Sequence, residues 1–447
     1  MEIINNYYFE IQYLIHKYFW FIVVAQVTLI FLPFVLIKLN NKINKLSQII
    51  IFLTSSTLFF IFYKDKVFNM QGWDRKAVCS WLDISESYQN LNLYSVQFSR
   101  NSNLIDVETP FFSAYYHPIL INKIELLCSM NFSTYNLIVV CFLAITAIFL
   151  CFNLKNVSNF VILTLIFFGL NNLVWLINTG QFFILELFAI VVALSFLDKG
   201  KIKLSIFFLF IFGIQKIYFF IFSIYLAFKY FKVKGIAALA ALFTSINLYS
   251  YKLIPDYLYF WFSDEGYLFG TKLSKHSFLT ENFGEYNQSL YSFFKDLLYN
   301  FKFELNLFLL FSITILASIY FIYFVVGKVN LKIESPILDY FIFSLLILVF
   351  PLLRPYVFLH FIVIILYLLN SMHSFQLEQF ILYMLTLPSF IYLTIREFLF
   401  VQHYPTGEVI TKLLEAQYNF VMSYSFFASW LLMYFIYKKI SSKNNLI

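Results

Sequence analysis

The sequence predicts an all-α polytopic membrane protein that forms one integral-membrane domain over residues 1–447. Hydrophobic residues make up 61% of the chain and charged residues only 12%, whereas a soluble domain is about a quarter charged. Apolar runs close to the roughly 20 residues needed to cross a bilayer recur along the whole length. They predict about thirteen transmembrane helices, with short helices in the longer polar loops between them.

The lysines indicate the orientation of these spans. Lys38, Lys42 and Lys45 follow the first span, Tyr18–Ile37, and place that loop in the cytoplasm. The formal net charge of +7 therefore reports topology and does not indicate nucleic-acid binding. The second span, Ser47–Tyr63, then delivers the chain to the outer face.

Most of the later spans follow directly from the apolar pattern. They are predicted at Thr134–Leu154, Val157–Ile177, Phe182–Leu197, Ile236–Leu248, Leu307–Val326 and Ile337–Leu353, with two more apolar runs and a last span before Lys438. The stretch Leu204–Phe231 is too long for one comfortable span and is interrupted by Gln215 and Lys216. We therefore predict two short spans that meet at Lys216.

Three long polar segments open on the same side in this topology. They run from Phe68 to Ser133, from Tyr251 to Lys302, and from Arg396 to Tyr418, and they hold most of the carboxylates. This asymmetry predicts an extracytoplasmic active face on a multi-pass protein of the bacterial inner membrane.

The four cysteines show no metal-binding spacing, and we predict no metal site. Cys79 and Cys128 both fall in the first polar segment. They form a disulfide if that segment is extracytoplasmic, and both the paired and the free state are open from the sequence.

Asp74 is the candidate catalytic residue. It follows Trp73 and lies within a few residues of the predicted membrane surface. A carboxylate at an aromatic-lined interface suits chemistry on a lipid-linked substrate, because the lipid tail stays in the bilayer while the polar head reaches the loop. The alternative is an ordinary solvated loop acid.

Several further motifs follow Asp74 along the chain. They are Tyr94; Tyr116, His117 and Pro118; Gly180 and Gln181; Lys216; Asn287, Gln288, Ser289 and Leu290; and Arg354 to Phe361, RPYVFLHF, which contains Pro355 and His360.

In this order and on one face, these motifs resemble the GT-C glycosyltransferases of glycosyltransferase family 87, the polyprenol-phosphate-mannose-dependent mannosyltransferases. The resemblance covers about residues 65–370 and leaves the N-terminal span outside the shared core. The chain departs from the family at Phe183, where an asparagine is usual, at Ile217, which replaces a proline, and at Arg354, which replaces a serine.

The resemblance implies a GT-C fold and a transferase that needs no cofactor. The donor would be a sugar on a polyprenyl phosphate, most commonly mannose, and the acceptor a lipid-linked or envelope glycan in the bilayer. Asp74 would be the base of an inverting transfer. Lys216, Arg354 and His360 would bind the donor phosphate or orient substrate, and Tyr94, Gln181, Asn287 and Gln288 would contact substrate.

The site residues have structural alternatives as well. Lys216 could snorkel to the headgroups, His360 could be a hydrogen-bonded core residue, and Gln181, Asn287 and Gln288 could cap outer turns. Glu186 is an intramembrane carboxylate, and hence either a site residue or an interhelical hydrogen-bond partner.

Two other functional classes stay open: a multi-spanning lipid or solute transporter and a polymerase of lipid-linked glycans. A transporter would favour internal repeats and midplane charges, and we find neither clearly. A polymerase would favour an outer loop rich in arginine, whereas these outer loops are poor in arginine.

Overall fold

The computed structural model describes Leu53, Cys79 and residues 121–157, 159–168, 183–214, 216–249, 252, 254–255, 289–301, 306–328, 336–350, 357–372 and 426–441. Of these residues 91% are helical, and none of them is in a strand. The predicted all-α class is thus confirmed for the described part of the chain.

Eleven helices are formed within these ranges. They are α1 (Ile121–Cys128), α2 (Phe132–Asn153), α3 (Asn159–Leu163), which continues as a π-helical turn (Thr164–Phe168), α4 (Phe183–Asp198), α5 (Ile202–Gly213), α6 (Ile217–Tyr249), α7 (Leu290–Asn300), α8 (Leu307–Lys328), α9 (Pro336–Val349), α10 (Val357–Met372) and α11 (residues 426–441).

Among the described residues, three helices are candidate membrane spans by length and composition: Phe132–Asn153, Leu309–Lys328, and Ile217–Tyr249, which a break at Lys232 divides in two. Shorter apolar helices are Ile202–Gly213, Pro336–Val349 and Val357–Met372. These helices support a membrane protein. The predicted count of about thirteen spans and the GT-C arrangement extend beyond the described residues and stay predictions.

A sharp turn separates α5 from α6. The Cβ of an alanine at Gly213 would lie 2.4 Å from the backbone nitrogen of Phe220, although in a straight helix residues seven apart lie about 10 Å apart. The rings of Phe210 and Phe220 pack with centroids 5.4 Å apart across this turn. The prediction that two short helices meet at Lys216 is therefore confirmed.

α6 itself reverses at Lys232, where the backbone adopts φ 55° and ψ −141°. A Cβ at Gly235 would lie 2.4 Å from the carbonyl oxygen of Ala227, and the rings of Phe220 and Phe243 pack 5.8 Å apart. α6 is thus two antiparallel segments, 217–231 and 233–249, rather than one long span. The break falls between the predicted spans, after the stretch that ends at Phe231 and before the span that begins at Ile236.

α10 is the central helix of the bundle, buried from Val357 to Asn370. The hydroxyl of Tyr367 donates to the carbonyl of Val191 on α4 at 3.0 Å, and Tyr367 packs on Tyr340 of α9 at 5.8 Å. The faces of α10 are therefore covered by protein rather than by lipid, which explains why a short helix is so uniformly apolar.

The contacts between helices define two ends of the bundle. At one end, Ser195 donates to Asn153 at 3.1 Å, Asn156 bonds to Asn370 and Lys229 pairs with Asp339. We call this the Lys229 end. The opposite end, where α2, α4 and α10 begin and α5 and α9 finish, holds Lys216 and is called the Lys216 end.

α7, α8 and α11 pack together beside this core. Phe293 of α7 contacts Phe426 and Phe427 of α11, and Phe321 of α8 contacts Trp430 at 5.8 Å. Large apolar side chains of α8 are exposed along one broad face: Leu309, Ile313, Leu316, Ile319, Tyr323 and Phe324. A helix that is apolar on its exposed faces is what a bilayer environment requires.

Candidate functional site

Two of the predicted site residues lie in the described part of the chain, and both lie at the Lys216 end of the bundle. These residues are Lys216, in the turn between α5 and α6, and His360, on the first turn of α10. The other predicted residues, Asp74, Tyr94, Gln181, Asn287, Gln288 and Arg354, lie outside the described residues, as does the motif Tyr116, His117 and Pro118.

His360 is completely buried and faces α6. Its Nδ1 lies 2.8 Å from the hydroxyl oxygen of Tyr218, close enough for a buried hydrogen bond. The imidazole also packs against the ring of Phe219, with centroids 5.2 Å apart. Both contacts come from the first turn of α6, so α6 holds the imidazole in a fixed orientation.

Lys216 precedes that same turn. Its carbonyl accepts the backbone N–H of Phe219 at 2.9 Å, and its own N–H donates to the carbonyl of Phe212 at 3.3 Å. The lysine backbone is thus fixed to both helices. Lys216 precedes Tyr218, the hydrogen-bond partner of His360, by two residues. A cation and a hydrogen-bonding imidazole from two distant motifs therefore lie at the same end of the bundle.

Aromatic rings pack around His360 and its hydrogen-bond partner Tyr218. Tyr218 packs against Phe350 at 5.5 Å, Phe219 packs against Phe343 at 5.8 Å, and Phe222 stacks on Phe343 at 3.9 Å. Such a wall excludes water and lowers the local dielectric, so that a charge here acts more strongly on a bound anion than it would in water.

Glu186 lies at a similar level on α4 and is fully buried. The contact between Tyr367 and Val191 aligns α4 with α10, and the two helices run in the same direction. Measured along the helix axes from this contact, Glu186 lies about 7.5 Å and His360 about 10.5 Å toward the Lys216 end. A carboxylate on the helix beside the imidazole is consistent with a polar site at this depth.

Sequence reasoning missed Tyr218. Its only signal was its position two residues after Lys216, and tyrosine is so common in this chain, with 33 copies, that the position alone was not informative. The hydrogen bond to His360 requires that α6 and α10 be packed together, which no local pattern reveals.

A second polar cluster occupies the Lys229 end. Lys229 pairs with Asp339 at 2.5 Å, with the two side chains 6% and 0% exposed. Tyr225 donates to one carboxylate oxygen of Asp339 at 3.0 Å and Tyr230 to the other at 2.7 Å. Lys229 is thus the buried partner of an acid on α9.

Cys79 and Cys128 form a disulfide, which decides the alternative left open by the sequence. Cys79 follows Asp74 by five residues, so the Cα atoms of the two residues are at most about 18 Å apart. Cys128 ends α1 directly before α2 begins. Disulfides persist in oxidising compartments, which supports an extracytoplasmic position for the segment that carries Asp74.

No known protein-family model, no curated protein and no solved structure matches the chain. The function must therefore be argued from the residues and their geometry.

Proposed function

We propose that the chain is a membrane glycosyltransferase of the GT-C type. It moves a sugar, mannose being the first to test, from a polyprenyl-phosphate donor to a lipid-linked or envelope glycan acceptor on the extracytoplasmic face. One observation carries the proposal: Lys216 and His360 come from separate motifs of the family resemblance, and the buried hydrogen bond between Tyr218 and His360 brings these two motifs to one end of the bundle.

This pair is suited to the phosphate of the donor. The bond that breaks joins the anomeric carbon to a phosphate oxygen, and the leaving group is already a stable anion, so no general acid is needed. A fixed cation and an N–H donor stabilise the charge that develops on the phosphate. The aromatic wall limits competing hydrolysis because it excludes water.

Asp74 supplies the base in this proposal. It accepts the proton of the acceptor hydroxyl as that oxygen attacks the anomeric carbon, and the configuration at that carbon inverts. The disulfide supports the location: Cys128 precedes α2, and α2 begins at the Lys216 end because its last residue, Asn153, is bonded to Ser195 at the Lys229 end. This supports, and does not by itself establish, a position of Asp74 near the Lys216 end, because Cys79 follows Asp74 by five residues.

The test is direct transfer by the purified protein in lipid nanodiscs. Polyprenyl-phosphate mannose and glucose are offered with a membrane glycolipid extract, and released polyprenyl phosphate and extended glycolipids are followed by mass spectrometry. We expect Asp74→Asn to lower the rate by about 10²–10⁴. Lys216→Gln should raise KM for the donor, while the control Lys203→Gln, an exposed lysine at the other end, should not.

The proposal fails if the parent releases no polyprenyl phosphate from either donor or from donors with other sugars. It also fails in its assignment of the base if Asp74→Asn turns over like the parent. Asp83 is the next carboxylate after Asp74 in the same polar segment, and an inactive Asp83→Asn variant would then identify it as the base.

A transporter is the second candidate, and the buried pair of Lys229 and Asp339 is the observation that favours it. Buried ion pairs within a helix bundle are frequent in ion-coupled transporters. In that case substrate flux into proteoliposomes should require the ionised Asp339, and Asp74→Asn should have no effect. The full set of hydrogen bonds on Asp339 favours a structural role for this pair.

A further inference from the structure

Tyr218 contacts His360 through its side-chain hydroxyl. Its hydroxyl lies 2.8 Å from Nδ1 of His360, and both side chains are buried. The Tyr218 ring is held by Phe219 at 4.4 Å and by Phe350 at 5.5 Å. A tyrosine fixed on two sides presents its hydroxyl in one direction, toward the imidazole.

The chemistry of the donor restricts how His360 can serve. A neutral imidazole has one N–H donor and one acceptor nitrogen, and the oxygens of an ionised phosphate diester are acceptors only. His360 can donate to them from Nε2 only if that nitrogen carries the proton. The hydrogen bond made by one ring nitrogen sets the tautomer of the ring.

We infer that Tyr218 is a positioning residue of this site, whose hydroxyl donates to Nδ1 of His360 and so holds the imidazole with its proton on Nε2. The identity of the ligand rests on the proposed function, while the tautomer does not. Tyr218 follows Lys216 by two residues, so one turn of α6 supplies the cation and also orients the second donor. The reverse arrangement, in which Nδ1–H donates to Tyr218, would turn an Nε2 lone pair toward an anion.

The tautomer is measured by nitrogen-15 NMR of the protein labelled at its six histidines. Comparison with His360→Gln assigns the signal of residue 360. We expect a protonated Nε2 and a hydrogen-bonded, unprotonated Nδ1 in the parent, and a mixture of tautomers in Tyr218→Phe. A protonated Nδ1 in the parent, or a tautomer that Tyr218→Phe leaves unchanged, would overturn the inference.

The consequence for binding is measured with a short-chain polyprenyl phosphate, the proposed leaving product. Tyr218→Phe should weaken its binding about three- to tenfold, the range expected for one buried hydrogen bond. The matched control is Tyr367→Phe, which removes another buried tyrosine hydrogen bond, to Val191 at 3.0 Å, without touching His360. Its affinity should equal that of the parent.

A double variant separates positioning from general loss of packing. In a His360→Gln background, Tyr218→Phe should weaken binding no further, because the hydroxyl acts only through the imidazole. Equal losses in Tyr218→Phe and Tyr367→Phe, or additive losses in the double variant, would reject the positioning role. If the parent binds no polyprenyl phosphate, the proposed function fails, and the NMR result still decides the role of Tyr218.

Discussion

Lys216 and Lys229 lie at the two ends of the first segment of α6, and their surroundings differ. Lys216 precedes by two residues the tyrosine that is hydrogen-bonded to His360, whereas Lys229 is paired with Asp339, whose oxygens also accept the hydroxyls of Tyr225 and Tyr230. Four charged or polar groups thus satisfy one another at the Lys229 end, as buried polar groups must. This arrangement predicts a structural role for Asp339 and a ligand-binding role for Lys216.

The structural role predicts that Asp339→Asn destabilises the protein strongly. The variant leaves Lys229 buried without a counter-charge. Removing one partner of a buried ion pair lowers the free energy of unfolding by about 3–5 kcal/mol. The measurement is the free energy of unfolding in detergent. Lys229→Met combined with Asp339→Asn should recover much of the loss, because no unpaired charge then remains.

The neighbouring pair Lys295 and Asp296, 3.1 Å apart, provides the control. Its acid side chain is 30% exposed, so Asp296→Asn should cost about 1 kcal/mol or less. If Asp339→Asn costs as little as Asp296→Asn, the pair at the Lys229 end does not hold α6 to α9. A full loss of transport with normal stability would instead favour the transporter function.

Arg354 provides a prediction about donor recognition, although it lies outside the described residues. It precedes Val357, where α10 begins at the Lys216 end, by three positions. A guanidinium gives a phosphate two parallel hydrogen bonds that an ammonium cannot reproduce. Arg354→Lys should therefore raise KM for the donor, and Arg354→Ala should cost about 2–5 kcal/mol of donor binding. Unchanged donor dependence in Arg354→Lys, with normal folding, would show that this arginine only anchors the span and would leave Lys216 as the phosphate cation.

The reversal of the chain within α6 depends on Gly235. The carbonyl of Ala227 would lie 2.4 Å from a Cβ at position 235, so Gly235→Ala must push the two segments of α6 apart. We expect a loss of about 1–3 kcal/mol in the free energy of unfolding, the usual cost of overpacking. A cysteine pair introduced at Phe220 and Phe243, whose rings touch in the parent, should also cross-link less readily in this variant.

Gly327→Ala is the matched control, because nothing lies within 4 Å of its Cβ position. It lies in α8 and should be neutral or stabilising by up to about 1 kcal/mol, since alanine favours a helix more than glycine does. If both alanine variants have the same stability, the close approach at Gly235 is not required for the turn at Lys232.

The sequence was informative about elements where composition alone determines them. α4 was predicted at Phe182–Leu197 and is found at Phe183–Asp198, because an apolar run bounded by polar residues specifies a helix between them. The break at Lys216 was predictable for the same reason. The partners of Lys229 and His360 could not be predicted, because each contact joins helices more than a hundred residues apart in the chain. The periodicity of a sequence carries no information about which helices pack together.

At the scale of the whole molecule, the two ends of the bundle have different chemistry. The Lys229 end has the exposed lysines Lys199, Lys201, Lys203, Lys232 and Lys234, as expected for a cytoplasmic face. The Lys216 end has Lys216 and the hydrogen-bonded Tyr218 and His360. It is also the end at which α1, whose Cys128 is bonded to Cys79, leads into α2. Both observations favour the same orientation, with the Lys216 end outside.

This orientation predicts which positions an impermeant thiol reagent reaches in intact cells. The free cysteines Cys141 and Cys151 are first replaced by serine, so that only introduced thiols react. Single cysteines near Asp74, Asp264 and Thr406 should be labelled from outside, and those near Lys42, Lys201 and Lys443 only after the membrane is opened. Labelling of the Asp74 and Lys201 positions from the same side would overturn the orientation, and the extracytoplasmic donor with it.

The disulfide tests the same orientation without any introduced residue. Cys79 and Cys128 can pair only where the compartment is oxidising, whereas Cys141 and Cys151 lie within the span α2 and stay reduced. Protein extracted in denaturant with excess alkylating reagent should therefore take up two labels, and four after reduction. Expression in cells that lack the oxidising machinery of the envelope should give four labels at once. If all four cysteines react without reduction in normally grown cells, the segment that carries Asp74 faces the cytoplasm or is not tied to α1, and the argument that brings Asp74 to the Lys216 end loses its basis.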